Sequence, residues 1–399
     1  MEKINKKKLV VFDKILFSAV VFLMTVSLIM SYSLSAFTVV HFEYTQSHFF
    51  IRQIIAVSLG FVLMIILSKL DPDKWFVPIG LFIFIFFFVL MLVMPFLPSS
   101  IVRSVGGAKR WINAGPLSIA PVEFFKIGFV FFLAWSFSRK IMHRDRMSFV
   151  EEVRAFFPYL FVFLVVVVLI AIMQKDLGQV VVLGAMLLIM FIFAGSSFKF
   201  FLSLMATGII AFVGLIAIAP HRIERIKSWW ATVQDMILLI PLESIQSLRV
   251  DTVVKEPYQI SNSLNAIHNG GLFGQGLGNG QFKLGYLSEV HTDFILAGIA
   301  EELGFFGVLV VTFAMLVVIF RLFKIASIVQ HPVHYLFCVG VALLIGFAFV
   351  INSFGIAGIT PIKGIAVPFL SYGGSQILAL CLAMGMVFMV LNKPLEGEK

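Results

Sequence analysis

The chain has 399 residues, 60% of them hydrophobic and only 13% charged, with a mean hydropathy of +1.04. Apolar runs of eighteen or more residues, each able to cross a hydrocarbon core of about 30 Å, recur from end to end, which excludes a water-soluble globular domain. The formal net charge of +9 points to topology-setting cytoplasmic loops and anionic lipid, not to nucleic acid.

In chain order the pattern predicts an all-α polytopic membrane protein forming a single membrane domain. About ten transmembrane helices are expected, near 12–36, 48–68, 75–97, 121–138, 155–174, 177–195, 198–219, 292–320, 334–356 and 374–392. No small-residue cleavage site follows the first apolar run, so it is expected to be a retained helix. Cys338 and Cys381 lie in apolar segments, which argues against a structural disulfide or a thiolate metal site. An even number of spans puts both termini on one side. The cations at the N-terminus (Lys3, Lys6, Lys7, Lys8, Lys14) and after the fourth helix (Arg139, Lys140, Arg144, Arg146, Arg154) identify that side as the cytoplasm.

Three segments then face outward: 98–120, 220–291 and 357–373. The long one opens with His221 to Trp230, where cations and paired tryptophans suit a segment lying in the membrane interface. Further on, Gly270, Gly271, Gly274, Gly276, Gly278 and Gly280 let backbone approach another element closely. No strand precedes them, so a nucleotide-binding loop is excluded.

The outer segments also carry Arg103, Lys109, Arg110, Arg222, Arg225, Lys227, Arg249, Lys255, Lys283 and Lys363. These cations oppose the positive-inside bias. They suit an anionic lipid phosphate or pyrophosphate, or else headgroup contact alone. Glu123 and Lys126 share a face of a helix opened by Pro121. Inside a membrane segment they mark either a functional site or a pair that satisfies itself. Asp176 suits a helix cap.

Asp293 stands where the long polar loop meets the eighth apolar segment. In a first helical turn the exposed N–H groups and the macrodipole should keep it ionised and available as a base. Equally, Thr292 or Asp293 could serve only as a cap. Glu301 and Glu302 follow roughly 12 Å further along the helix and suit packing. His291 is open to two roles, second acid or base and positioning residue. No Ser–His–Asp set, metal-ligand spacing or phosphate loop with its lysine is present.

The ordered motifs resemble one family over nearly the whole chain. They are Gly107–Ile112 with Pro121–Lys126, Gln174–Gly178, Tyr258-Gln259, Gly270–Gly278, His291–Phe294, Glu301–Gly304 and Pro368–Ser375. The chain is identified as similar to the SEDS proteins (shape, elongation, division and sporulation), bacterial cell-wall glycosyltransferases. Gly278-Asn279, Lys283-Leu284 and Tyr286-Leu287 before Glu289, with Pro361–Gly364, look like the division-type member more than the elongation type. Ser288 and Lys175 stand where the family usually has proline.

The resemblance implies peptidoglycan polymerisation from lipid II, the undecaprenyl-pyrophosphate-linked disaccharide pentapeptide, as both donor and acceptor. It implies Asp293 as the catalytic base, and Glu123 and Lys126 lining the cavity. Lys109, Arg110, Lys126 and Lys363 are candidates to hold the pyrophosphate. His291 and Ser371 lie in the motifs expected to meet substrate. The expected partners are a class B penicillin-binding protein transpeptidase, other divisome proteins and membrane lipids, at the septum of the bacterial cytoplasmic membrane. No cofactor is implied. A divalent cation could assist the diphosphate, though the sequence offers no dedicated cage. The alternatives are a lipid II flippase, an elongation-type polymerase, and a scaffold that only recruits the transpeptidase.

Overall fold

The computed structural model describes residues 12–45, 47–98, 100–105, 108–114, 117–142, 147–218, 220–237, 258–361 and 364–391. Its elements are α1 (Lys14–Leu34), α2 (Ala36–His41), α3 (His48–Ser68), α4 (Pro72–Val93), β1 (Val102–Val105), β2 (Ala108–Ala114) and β3 (Leu117–Ile119). There follow α5 (Pro121–Lys140), α6 (Phe149–Val167, extended by a π-helical turn to Met173), α7 (Leu177–Phe193), α8 (Phe198–Ala217) and α9 (Pro220–Ile237). The last are α10 (Tyr258–Gly270), α11 (Ile295–Ile328), α12 (Pro332–Ile356) and α13 (Gly374–Leu391).

Among the described residues nine helices are long and apolar enough to cross a membrane, and α7, with 17 residues, is a shorter apolar tenth. They coincide with the ten expected spans. The core is built on α5 and α13, each 83% buried over its apolar window, whereas α8 is only 6% buried and turns nearly its whole surface outward.

Two features were not legible in the sequence. The 98–120 segment contains a three-stranded antiparallel sheet, ordered β1-β2-β3, pairing Arg103 with Trp111 and Asn113 with Ser118. β1 and β3 are too short to show an alternation, and β2, with Lys109-Arg110 and Trp111-Ile112 side by side, has none to show. Ser375 at the head of α13 anchors the sheet, accepting from Ala120 N (2.9 Å) and donating to Ser118 O (3.1 Å).

The other feature is the form of α11. It runs 34 residues, eight beyond the expected end, and breaks at Gly304, whose φ is 69°. In an unbroken helix Phe305 N and Phe306 N would donate to Glu301 O and Glu302 O. Here the glycine loop after α10 takes all four groups. Gln275 N and Gly276 N donate to Glu301 O and Glu302 O, both at 2.9 Å. Phe305 N and Phe306 N donate to Gly271 O (2.9 Å) and Leu272 O (3.2 Å). The break is tolerated in an apolar helix because the four backbone groups it frees all find partners in the loop. The glycines are there for this contact, since a Cβ at Gly270, Gly274 or Gly304 would strike backbone of the facing segment.

Glu301 and Glu302 secure the same joint. The Glu301 carboxylate accepts from Asn269 Nδ2 (3.0 Å), Gln281 N (2.6 Å) and Phe282 N (3.1 Å). Glu302 accepts from Ser33 of α1 and from Lys283 Nζ, the latter at 2.6 Å.

Candidate active site

The turn before α11 presents Asp293. The helix begins at Ile295 with Phe294 at its N-cap and no side-chain cap bond. Neither Thr292 nor Asp293 caps it. Thr292 Oγ1 instead donates to Glu289 O (3.0 Å) and Glu289 Oε2 (2.9 Å), closing a tight turn in which Glu289 has a φ of 59°. Asp293 itself is half-buried. The extended segment after Lys363 runs alongside, so that a Cβ on Gly364 would lie 2.8 Å from Asp293 Oδ2.

These surroundings overturn the expectation that Asp293 stays firmly ionised. Burial first, then the Glu289 and Asp176 carboxylates, raise its pKa to about 7, against the pull of Arg110. The carboxylate stands just outside the first turn, and desolvation with two like charges outweighs the helix dipole there.

A second wall faces it. Arg110 of β2 donates through Nε to Gln174 O (2.7 Å) and through Nη2 to Lys175 O (3.1 Å). It thereby holds the turn into α7, where Lys175 has a φ of 53°. Asp176 caps α7, its Oδ1 accepting from Gln179 N at 3.3 Å. Burial raises the Asp176 pKa, with Arg110 the main opposing charge. Beneath them Lys126 Nζ pairs with Glu123 Oε2 at 2.7 Å and donates to Gln179 Oε1 at 3.0 Å. Gln179 Nε2 in turn donates to Glu123 Oε1 at 3.4 Å. The structure therefore assembles Arg110, Glu123, Lys126, Asp176 and Asp293 from four separate elements.

Other expected site residues lie elsewhere or are already engaged. Lys109 Nζ donates to Pro95 O (2.9 Å) and Leu97 O (2.7 Å), tying β2 to the end of α4. Ser371 is fully buried, donating to Thr292 O (2.6 Å) and accepting from Val367 N (2.7 Å). It braces the Asp293 turn from beneath. His291 is buried against the rings of Phe49 (4.9 Å) and Tyr372 (5.5 Å), and burial lowers its pKa. Its Nδ1 has no partner among the described residues. Lys363 lies outside the described residues, as does Gly107 of the first motif.

Sequence reasoning missed Gln53, Asn352 and Gln179. Each is a buried amide within an apolar span, and that rarity is the signal that could have found them. Gln53 links α1, α3 and the last loop, donating to Ser27 Oγ (2.8 Å) and Ser371 O (3.3 Å) and accepting from Gly373 N (3.2 Å). A separate cavity of about 780 Å³ lies between the end of α1, α2 and residues 277–283. It holds neither Asp293 nor Arg110. Among the described residues no three His, Cys, Asp or Glu side chains are grouped to hold a metal ion.

Comparison with known proteins adds a family. Residues 14–394 match the family profile described as "Cell cycle protein", which covers FtsW, RodA and SpoVE. A protein of Helicobacter pylori (strain J99) named "Probable peptidoglycan glycosyltransferase FtsW" is 48% identical over 379 residues, covering 94% of this chain and 97% of that protein. Stage V sporulation protein E of Bacillus subtilis is 34% identical, covering 95% and 96%. The fold is similar to Thermus thermophilus rod shape determining protein RodA, with a TM-score of 0.63 at 22% identity, covering 96% and 97%. It is also similar to a chain in a peptidoglycan synthase complex whose structure concerns the coordination of polymerization and crosslinking. That match has a TM-score of 0.70 at 22% identity and covers 96% and 98%.

Proposed function

Because this chain belongs to the cell cycle protein family of FtsW, RodA and SpoVE, we propose that it is a peptidoglycan glycosyltransferase that polymerises lipid II with Asp293 as the general base. The observation that carries this reading is the half-buried Asp293 carboxylate, poised near neutrality opposite the Arg110 guanidinium. A base whose pKa lies near the working pH is populated in its ionised form and still able to take a proton.

In the reaction, Asp293 removes the proton from the 4-hydroxyl of the acceptor N-acetylglucosamine as that oxygen attacks the anomeric carbon of the donor. The bond from that carbon to the phosphate oxygen breaks, and undecaprenyl pyrophosphate leaves with the electron pair. A single displacement converts the α-linked donor into a β-linked product. The departing diphosphate needs fixed positive charge. Arg110 suits this role, since its Nη1 makes none of the hydrogen bonds that hold the 174–176 turn. Lys126 is committed to Glu123 and Gln179 and supports that wall. Lys363, adjoining the Gly364 contact, is a further candidate.

The 48% identical FtsW relative supports a division role at the septum over an elongation role. In this reading the Asp293 end of the bundle faces outward from the cytoplasmic membrane, with both termini in the cytoplasm. The similarity to a chain of a complex that couples polymerization with crosslinking supports a transpeptidase partner, a class B penicillin-binding protein, beside other divisome proteins. The grouping of Arg110, Glu123, Lys126, Asp176 and Asp293 where α5, α7 and α11 begin, at one end of the bundle, argues against a flippase, whose site would lie near the midplane.

The test is polymerisation of labelled lipid II by purified protein, alone and with the cognate transpeptidase, resolved as glycan ladders. Wild type should give ladders and Asp293→Asn none. Lipid II translocation in vesicles without ladders from any sample would instead select the flippase.

A further inference from the structure

We propose that Asn352 is a positioning residue for this reaction, a single carboxamide that fixes both the turn carrying Asp293 and the 364–367 segment lying beside it. The inference rests on the reading of Asp293 as the base.

Asn352 sits in the last turns of α12 and is 3% exposed. Its Nδ2 donates to Asp293 O at 2.6 Å and to Ile365 O at 2.7 Å. An amide nitrogen has two hydrogens, and both are used. The assignment of nitrogen and oxygen is fixed by this arrangement, because the exchanged amide would set its carbonyl against two carbonyls. Asn352 Oδ1 is then left buried without a partner among the described residues. A side chain kept only for stability would not bury an unpaired acceptor, which costs stability. An apolar residue of similar size would also suit a membrane helix better.

The segment it holds is the one beside the base. Asn352 grips it at Ile365, Gln376 Nε2 at Ala366 O (3.0 Å) and Ser371 Oγ at Val367 N (2.7 Å). One residue before this triple anchor is Gly364, in contact range of Asp293 Oδ2. Among these anchors Asn352 alone also bonds the Asp293 main chain. Ser371 braces the same turn one residue earlier, at Thr292 O. Loss of Asn352 therefore frees Asp293 to move away from this segment and take up water.

Among the described residues the charged groups that face Asp293 are Glu289 on its own turn, Asp176 at the head of α7 and Arg110 on β2. This half of α12 carries no ionisable residue, so changing Asn352 to a neutral residue alters position and hydration without altering local charge.

The experiment measures kcat, KM and the pH profile of lipid II polymerisation for wild type, Asn352→Ala, Asn352→Ser and Asp293→Asn, full-length in proteoliposomes. Asn352→Ala should lower kcat at least tenfold with KM changed less than threefold. Its acid limb should move below that of wild type by about a pH unit, because a hydrated carboxylate gives up its proton more readily. Asn352→Ser, which keeps one donor, should fall between the two. If the Ala variant does not accumulate in membranes, the Ser variant carries the test on the same criteria. An unchanged kcat, or a lower kcat with the acid limb unmoved, overturns the positioning role. An active Asp293→Asn enzyme overturns the base reading itself, a result independent of the Asn352 outcomes.

Discussion

A buried carboxylate beside two others binds its proton more tightly than one in water, and Asp293 is such a group. With Asp293 as the proposed base, its pKa of about 7 predicts the pH dependence of polymerisation. The base must be ionised, so activity is present above pH 7 and is lost about tenfold per unit below it, which a kcat profile from pH 5 to 9 will show. Asp293→Asn should lower turnover by at least about 100-fold. The same shift has a stability consequence of opposite sense. A carboxyl whose folded-state pKa is raised above its unfolded value near 3.8 favours folding only while it is protonated. That contribution is full below about pH 4 and is lost as pH rises through 7. Asp293→Asn should therefore be more heat-stable than wild type at pH 8, by on the order of 1–2 kcal/mol given its partial exposure. The gain should vanish near pH 4, as thermal melts in detergent at the two pH values will show.

At the scale of elements, the decisive feature is the joint between α11 and the glycine loop. Two main-chain bonds missing at Gly304 are replaced by four with residues 271–276. The joint is closed by the buried Lys283–Glu302 pair at 2.6 Å, with Lys283 Nζ also donating to Gly278 O at 2.7 Å. Removing one partner leaves an uncompensated charge, so Lys283→Met should destabilise the protein by about 3–5 kcal/mol. Lys283→Met with Glu302→Gln should recover part of that loss, and a double-mutant cycle on melting temperature will measure it. Gly274→Ala should fail more severely than Gly278→Ala. Both glycines have positive φ, yet only a Cβ at Gly274 meets backbone, whereas none of the described atoms lies within 4 Å of one at Gly278. Expression and retention on size exclusion will separate the two.

For the whole molecule, the ten apolar helices bring every element of the site to one end of the bundle. The opposite end carries the Arg321–Asp13 pair, which ties α11 to the start of α1. With the site end outside, as proposed above, a membrane-impermeant maleimide added to intact cells or spheroplasts should label Leu277→Cys and spare Lys140→Cys. Both positions are exposed, on opposite ends. Cys338 and Cys381 are both buried, so the wild-type background should stay silent.

The sequence by itself determined the membrane class, the ten spans and the candidate status of Asp293, Arg110, Glu123 and Lys126. Hydrophobic length and misplaced charge are local properties, visible without knowing what packs on what. It did not reveal that Asp293 lies outside its helix, that Lys109 and Ser371 are occupied, or that Asn352 spans two loops. Those facts depend on contacts between residues far apart in the chain, such as Asp293 with Asn352 and Arg110 with Gln174. Nor could it give the state of the base, since desolvation and neighbouring charge exist only once the three carboxylates Glu289, Asp176 and Asp293 are folded together. The glycine run at 270–280 announced a close approach. Only the tertiary structure supplied its partner, because a break in a membrane helix survives only where another backbone completes its hydrogen bonds.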